Sequence, residues 1–300
     1  MRRLRARTNK RPFFGRVRRQ RVKYITLLPS LVTMLNGVCG FASIVFASRG
    51  AGSGIGEVTY FELAAYMILF AMLADMLDGR LARMSQSTSS FGGQLDSLCD
   101  LISFGVAPAF LMLTMLDRTL EPTALPYESF RHRFIWLAAI VYMSCAAIRL
   151  ARFNVENDSD ETSHMNFTGL PTPAAAGVVA SLIIFHQQEM PHFAELLYAL
   201  PFVCLAVAVL MVSRIRYPHI LNQYLKGKKP FAHFIKVILF LGLVIWRMQT
   251  ALALLFCSFA VSGLLKWLYN TILRRRSYPA PSNEFANLEN QGHTDIPRLD

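Results

Sequence analysis

Four aspartates occur at two helical spacings within residues 75–100. Asp75 and Asp78 are three residues apart, and Asp96 and Asp100 are four residues apart. On helices, both spacings bring two carboxylates to one face, with Cβ atoms about 5–6 Å apart. Carboxylates that face one another repel unless a cation lies among them, and magnesium takes oxygen ligands that it shares with substrate phosphates. The spacing predicts a divalent-metal site, whereas a solvated loop between two membrane spans would need no such pattern.

Small and basic residues accompany these acids. Gly79 follows Asp78 directly, and Gly92 precedes Asp96 by one helical turn. A position without a side chain lets a phosphate approach the backbone. Arg83, one turn beyond Gly79, could supply a balancing positive charge. Together with the acids, these residues indicate a site for a phosphate-bearing ligand.

The composition indicates that membrane helices must position this site. The 300 residues are 53% hydrophobic and 17% charged, a balance typical of a polytopic membrane protein. The five cysteines are scattered singly and predict neither disulfides nor a zinc site. A spanning helix needs about 20 mostly apolar residues. Eight candidate spans lie near residues 25–47, 59–78, 95–116, 134–152, 173–188, 193–213, 231–246 and 250–273.

The distribution of basic residues predicts the orientation of these spans. With the N-terminus inside, 25 of the 31 Lys and Arg fall in inner segments and five fall in outer loops. The positive-inside rule then puts both termini and the four aspartates in the cytoplasm. Residues 1–23 hold eleven Lys and Arg and no acid, which predicts a cytoplasmic arm near anionic headgroups. Topology accounts for the net charge of +12, so we expect no nucleic-acid partner.

The aspartate stretch resembles the signature of a known family. It reads Asp75-x-x-Asp78-Gly79-x-x-Ala82-Arg83, then eight residues, then Gly92-x-x-x-Asp96-x-x-x-Asp100. This is similar to the signature of the CDP-alcohol phosphotransferases, which are integral membrane enzymes. The resemblance implies transfer of a phosphatidyl or related group from a CDP-linked donor to an alcohol, with release of CMP. It also implies a homodimer. The expected fold is an all-α membrane bundle with a six-helix catalytic core and two C-terminal helices.

Further stretches resemble one branch of that family, the bacterial-type phosphatidylserine synthases. They are residues 28–40, 95–97, 103–108, 149–154 and 169–176, with a weaker match at 213–218. One departure is Ser30, where the family more often has Asn. The implied division of the chain is a basic arm over 1–23, a catalytic core over 24–216, C-terminal membrane helices over 217–276 and a polar tail over 277–300.

The resemblance implies a role for particular residues. Asp75, Asp78, Asp96 and Asp100 would hold one or two Mg²⁺ or Mn²⁺ ions, with Asp100 also acting as the general base. The residues expected to contact CDP are Thr33, Asn36, Gly79, Arg83, Ser89 and Gly92. CDP-diacylglycerol is the expected donor and L-serine the expected acceptor, with the serine carboxylate bound by Arg149 and Arg152 and assisted by Asn154.

Other functions compete with this interpretation. Arg149 and Arg152 could be ordinary positive-inside anchors. They could also pair with Glu156, Asp158 and the nearby acids. Glycerol 3-phosphate or an inositol phosphate as the acceptor would favour a denser basic cluster, and choline would favour an aromatic cage. An ion-coupled transporter would spread its acids through the depth of the membrane, whereas the four aspartates here cluster at one level. A catalytically inactive scaffold would be expected to lack at least one of them.

Overall fold

The computed structural model of the chain describes residues 14–50, 52–56, 58–85, 90–120, 130–159, 169–191, 193–213, 215 and 247–274. The described residues form eight α-helices, one π-helical segment and one short β-hairpin. In chain order, helices α1 to α8 are Phe14–Arg49, Tyr60–Ser85, Ser90–Asp100, Ala107–Leu120, Phe130–Ser159, Thr172–Glu189, Ala194–Val212 and Met248–Arg274. The π-helical segment, Leu101–Val106, joins α3 to α4. Strands β1 and β2, Ser53–Ile55 and Val58–Thr59, pair antiparallel between α1 and α2.

Within the described residues, six helical segments are long and apolar enough to cross a membrane. They are Ser30–Arg49, Tyr60–Leu81, Phe91–Thr119, Phe130–Val155, Glu195–Val212 and Met248–Tyr269. The predicted class, an all-α polytopic membrane protein, is confirmed, with the two short strands as a small exception. These six segments correspond to predicted spans one to four, six and eight.

The two remaining predicted spans differ from these six. The span near 173–188 is found as the 18-residue helix α6, which is not among the candidate membrane spans. Twelve of its residues are buried, so protein surrounds most of this helix. The span near 231–246 lies outside the described residues, and the count of eight stays a prediction.

Small residues let the helices of the first compact unit, which ends at Gly263, pack closely. Ala64, Ala65 and Ala71 on α2 are fully buried, as is much of the alanine-rich start of α6. Helices in membranes associate through such small side chains, which allow the backbones to approach. On α6, a Cβ atom at Gly177 would lie 2.3 Å from the Phe256 ring of α8. Glycine at 177 therefore leaves the space that Phe256 fills.

A second compact unit begins at Leu264 and contains the last turns of α8. Its described side chains include several exposed apolar and aromatic groups, among them Leu265, Trp267 and Tyr269. Exposed apolar side chains on a candidate membrane span are expected to face lipid.

The start of α6 is attached to the end of α7 by backbone hydrogen bonds. The Gly169 N–H donates to the Ile215 carbonyl at 2.8 Å, and the Leu170 N–H donates to the Leu210 carbonyl at 3.0 Å. Gly169 has φ of +87°, and a Cβ atom there would lie 2.4 Å from the Met211 carbonyl oxygen. Only glycine adopts this conformation in this space without strain. The contact fixes the position of Thr172, the first residue of α6.

Candidate active site

Helices α2 and α3 bring three of the four aspartates together. One carboxylate oxygen from each of Asp75, Asp96 and Asp100 lies within 4.8 Å of the other two. Asp75 and Asp96 are half-buried, and Asp100 is buried. Three hard oxygen donors in one place match the ligand preference of Mg²⁺ and Mn²⁺. The donor set therefore fits the divalent cation that the sequence predicts.

Asp78, the fourth predicted ligand, lies outside that group of three. It is buried, and the Thr33 hydroxyl of α1 donates a hydrogen bond to its Oδ2 atom. Its role as a metal ligand stays a prediction.

Helix α1 supplies hydrogen-bond donors to both acid-bearing helices. Besides the Thr33 hydroxyl bonded to Asp78, the Asn36 Nδ2 atom donates to Asp100 Oδ1 at 2.8 Å. Thr33 and Asn36 are three residues apart on α1, hence on one face, and both are buried. The Asn36 Oδ1 atom is buried and has no hydrogen-bond partner among the described residues. The Asn36 amide therefore donates to Asp100 through its Nδ2 atom, and its Oδ1 atom can still accept a hydrogen bond from another group.

Two glycines on α1 allow this close approach. A Cβ atom at Gly37 would lie 2.9 Å from the Cys99 Sγ atom, and one at Gly40 would lie 2.6 Å from the Ser103 Cα atom. The Ser103 hydroxyl also donates to the Asn36 backbone carbonyl at 2.8 Å. A larger residue at Gly40 would push α1 away from the π-helical segment and would separate Asn36 from Asp100.

The π-helical segment begins directly after Asp100. The Ala107 N–H donates to the Ile102 carbonyl, five residues back, which is the π-helical pattern. Pro108 has no N–H to give the Phe104 carbonyl four residues before it, and the buried Tyr142 hydroxyl donates to that carbonyl at 3.1 Å. Single π-helical turns are frequent at functional sites. Here the turn connects the acids on α3 to the buried helix α4.

The residues predicted to contact CDP fall in three situations. Thr33 and Asn36 are buried and bonded to the acids, as described above. Gly79 is exposed, and a Cβ atom there would meet nothing within 4 Å; Gly92 is half-buried on α3. Arg83 lies on α2 with its side chain outside the described part, and Ser89 is outside the described residues.

The residues predicted to bind serine lie on the last turns of α5. The Arg149 guanidinium donates to the Thr172 hydroxyl at 3.3 Å and is close enough to Asp100 for electrostatic attraction. Its Nε atom is buried without an acceptor among the described residues. Asn154 Oδ1 accepts a hydrogen bond from the Ser97 hydroxyl at 3.0 Å, and Arg152 is half-buried. Arg149 thus interacts electrostatically with the acidic cluster.

The sequence reasoning assigned no role to Ser97 and Thr172. Ser97 bonds both Asn154 and the Gly93 carbonyl, which ties α3 to α5. Thr172 holds the Arg149 side chain from the start of α6. Both residues lie in stretches that resemble the phosphatidylserine synthase branch, and this resemblance is the sequence feature from which a role for them could have been predicted.

The structure is thus that of a polytopic helical membrane protein in which two helices, α2 and α3, bring a cluster of acids together. Residues 26–213 match the sequence profile of a family described as CDP-alcohol phosphatidyltransferase. A CDP-diacylglycerol–serine O-phosphatidyltransferase of Helicobacter pylori (strain ATCC 700392 / 26695) is 35% identical over 249 residues, 81% of this chain and 92% of the relative. The chain belongs to the CDP-alcohol phosphatidyltransferase family and is a transferase. The resemblance drawn from the aspartate pattern is therefore confirmed.

Two archaeal relatives extend the comparison. An enzyme of Methanocaldococcus jannaschii with the same name is 31% identical over 248 residues, 82% of this chain and 97% of the relative. An archaetidylserine synthase of Methanothermobacter thermautotrophicus is 35% identical over 195 residues, 64% of this chain and 70% of the relative. Membership of this family, together with the six apolar helices, indicates an integral membrane protein.

Proposed function

We propose that this protein transfers the phosphatidyl group of CDP-diacylglycerol to the hydroxyl of L-serine, forming phosphatidylserine and releasing CMP. The observation that carries the proposal is the convergence of Asp75, Asp96 and Asp100 within electrostatic range of the Arg149 guanidinium. Acids alone would suit any acceptor alcohol, whereas an arginine within electrostatic range of them suits an acceptor with an anionic group, such as serine, whose carboxylate it can bind. The names of the Helicobacter pylori and Methanocaldococcus jannaschii relatives support the same donor and acceptor.

We propose that the acids hold one or two Mg²⁺ or Mn²⁺ ions. Asp75, Asp96 and Asp100 supply the converging oxygens, and Asp78 is the further ligand in this proposal. A divalent cation bound there would neutralise the charge of the pyrophosphate. The chain's own contribution is to keep the carboxylates close together despite their mutual repulsion, and the packing of α1, α2 and α3 does so.

The CDP moiety is proposed to lie against Gly79 and Gly92, with Arg83, Ser89, Thr33 and Asn36 as further contacts. The open space around Gly79 supports this position, because a phosphate or ribose could approach the backbone of α2 there. Thr33 and Asn36 already donate to Asp78 and Asp100. In this proposal they orient those carboxylates, and the Asn36 Oδ1 atom can accept a hydrogen bond from the nucleotide.

Asp100 is proposed as the general base. Its Oδ1 atom accepts the Asn36 hydrogen bond, which fixes the carboxylate and leaves Oδ2 for the proton of the serine hydroxyl. A base held within hydrogen-bond reach of that proton contributes about 10²–10⁴-fold to the rate. The oxygen of serine then attacks the phosphorus of the phosphatidyl group, and the bond to CMP breaks.

Serine recognition is proposed for the last turns of α5. Arg149 would bind the serine carboxylate through its guanidinium, which Thr172 holds in place. Arg152 and Asn154 would complete the site, and Ser97 orients the Asn154 amide. Because Arg149 interacts with Asp100 electrostatically, a serine on Arg149 would bring its hydroxyl toward the base.

Orientation and assembly are also part of the proposal. We propose that both termini and the active site face the cytoplasm, in the cytoplasmic or inner membrane, because Lys and Arg strongly favour that side. A homodimer follows from the family resemblance. Lipids of the surrounding bilayer are partners, and a nucleic acid is not expected.

The experiment that tests the proposal is CMP release by the full-length protein in detergent, given CDP-diacylglycerol and Mn²⁺ or Mg²⁺. L-serine, glycerol 3-phosphate, inositol 1-phosphate and choline are compared as acceptors. We expect release with L-serine, and its loss in the variant Arg149→Lys, which keeps the charge but loses the planar fork. Release with another acceptor would keep the acidic site and overturn the role of Arg149. Absence of release with every acceptor from folded, metal-loaded protein would overturn the reaction itself.

A further inference from the structure

An apolar groove lies between the first turns of α5 and the first turns of α7. Its volume is about 460 Å³, which is in the size range of small-molecule sites. Its walls include Phe130 and Phe134 from α5, and Leu197, Pro201 and Phe202 from α7. The rings of Phe134 and Phe202 lie 4.9 Å apart between centroids. The groove is therefore an apolar space with aromatic walls and not a polar substrate pocket.

The groove lies at the membrane boundary remote from the acidic cluster. The candidate spans of α5 and α7 begin at Phe130 and Glu195, so the groove occupies the first two turns of both. Arg131 and Arg149 are on the same uninterrupted helix, and the 18 residues between their positions correspond to about 27 Å at 1.5 Å per residue. That length is close to the thickness of the hydrocarbon core, about 30 Å.

One charged residue, Arg131, is among the described residues that line the groove. Its guanidinium donates to the Tyr198 hydroxyl at 3.5 Å and lies 5.7 Å from the centre of the Tyr198 ring. The arginine is exposed, as are Phe130 at 84% and Phe202 at 62%. Tyrosine and arginine at a span end lie at the level of the lipid headgroups, and arginine is well suited to bind phosphate.

We propose that this groove binds an anionic phospholipid of the surrounding bilayer. One acyl chain lies along the aromatic wall of Phe130, Phe134 and Phe202, and the headgroup phosphate is bound by Arg131. The apolar lining and the positive charge of Arg131 match the two parts of such a lipid at the depth where they meet. This lipid is distinct from the donor substrate, because the groove and the acidic cluster are at opposite ends of α5.

The test uses the full-length protein released from detergent for native mass spectrometry. Dioleoyl phosphatidylglycerol and dioleoyl phosphatidylcholine are compared, since they share acyl chains and differ in net charge. We expect the wild-type protein to retain the anionic lipid more tightly. In Arg131→Gln its retention falls about fivefold, the change expected for one arginine at the membrane surface. Arg133→Gln is the matched control, because Arg133 is exposed on the same turn of α5 but does not line the groove.

A second variant tests the groove itself. Leu197→Trp puts a larger side chain into the space and is expected to lower retention of both lipids, with serine-dependent CMP release unchanged as the check on folding. Equal loss in Arg131→Gln and Arg133→Gln would overturn the proposal in favour of diffuse attraction to a basic surface. Unchanged retention in Arg131→Gln and Leu197→Trp would show that no lipid occupies the groove. Equal retention of the two lipids by the wild-type protein would overturn the choice of an anionic lipid.

Discussion

Acidic side chains at the two ends of the packed helices have opposite surroundings. At the start of α2, Glu62 accepts a hydrogen bond from the Thr59 N–H at 2.8 Å, and the Glu62 N–H donates to the Thr59 hydroxyl at 3.2 Å. On α4, Asp117 lies 3.1 Å from the His132 Nδ1 atom. Glu189 at the end of α6 forms an ion pair with Arg247. Each of these acids has a partner group close by in the fold.

The acids at the other end face one another instead. Asp75 and Asp78 are on later turns of α2, and Asp96 and Asp100 are on α3, which continues into α4. Three of these carboxylates converge within 4.8 Å, an arrangement that costs stability in the absence of a cation. Folding therefore accounts for the first group of acids, whereas the proposed cation would account for the second.

Metal removal is expected to give the largest effect on the converging acids. Chelation should bring CMP release to background, because the carboxylates then repel one another and the pyrophosphate charge is not neutralised. Excess Mg²⁺ or Mn²⁺ should restore release. It should also raise thermal stability by about 2.7 kcal/mol at a hundred times the dissociation constant. Full activity after chelation and dialysis would contradict the proposed metal site. If the metal stabilised Asp96→Asn as much as the wild type, the metal would bind at a different site.

Asp100→Asn should be nearly as severe. The amide cannot accept the hydroxyl proton, so we expect serine-dependent CMP release to fall about 10²–10⁴-fold. The metal-free protein should become more stable, because one of three repelling charges is gone. Activity and thermal unfolding measured on the same preparation check both effects. A variant within tenfold of the wild-type rate would rule out Asp100 as the base.

Asn36→Leu tests the positioning of Asp100. Loss of a hydrogen bond to a charged group is expected to cost about 1.5–3 kcal/mol, which corresponds to about a tenfold to hundredfold loss in the rate of CMP release. Ser43→Ala is the matched control: Ser43 is also buried on α1, and its hydroxyl has no partner among the described residues. If both variants lost the same activity, the effect would come from packing of α1 and not from the bond to Asp100.

Gly79→Ala separates ligand contact from folding. Nothing lies within 4 Å of a Cβ atom at Gly79, and alanine favours a helix over glycine by about 1 kcal/mol. The variant should be at least as stable as the wild type. Its KM for CDP-diacylglycerol should nevertheless rise about tenfold, because one extra methyl group in a close-fitting binding site weakens binding by about that factor. Gly93→Ala, at an equally open helical position, should leave KM unchanged. The CDP contact at Gly79 would be refuted by identical KM values in the two variants.

The smallest effect on activity is expected at the other end of α2. Thr59→Ala removes the side chain that caps the helix and should lower the free energy of unfolding by about 1 kcal/mol, while CMP release stays at the wild-type rate. Thr59→Ser retains the hydroxyl and should retain the stability. Loss of activity in Thr59→Ala at a temperature where the protein is folded would mean that the cap at the start of α2 affects the acidic cluster at its other end.

The sequence predicted the pairing of acids on each helix because that feature depends on local geometry, whereas the approach of the two pairs depends on how α2 packs against α3. Two carboxylates three or four residues apart share a helix face whatever the helix packs against, so Asp75 and Asp96 could be singled out before any tertiary structure. Apolar runs predicted the membrane helices for the same reason. What could not be predicted is tertiary: the Asn36 bond to Asp100 joins residues 64 positions apart, and the Thr33 bond to Asp78 joins residues 45 apart.

The conformation of the backbone between the acids and α4 also depends on tertiary packing and could not be predicted from the sequence. Pro108 indicates that the Phe104 carbonyl lacks its usual donor, but only the fold shows that Tyr142 supplies one. Likewise, glycines at 37 and 40 suggest a close contact on α1, whereas the partners Cys99 and Ser103 appear only when α1 is packed on α3. The separation of Asp78 from the other three acids has the same origin.

The most direct measurement follows isotope-labelled L-serine into lipid, with wild-type and Asp100→Asn proteins compared at equal concentration. The wild-type protein, given CDP-diacylglycerol and Mn²⁺ or Mg²⁺, should convert the label into phosphatidylserine with one CMP released per labelled lipid. Asp100→Asn should incorporate almost none. Labelled phosphatidylserine at equal rates from both proteins, or none from the folded, metal-loaded wild type, would contradict the assignment of this reaction to the acidic cluster.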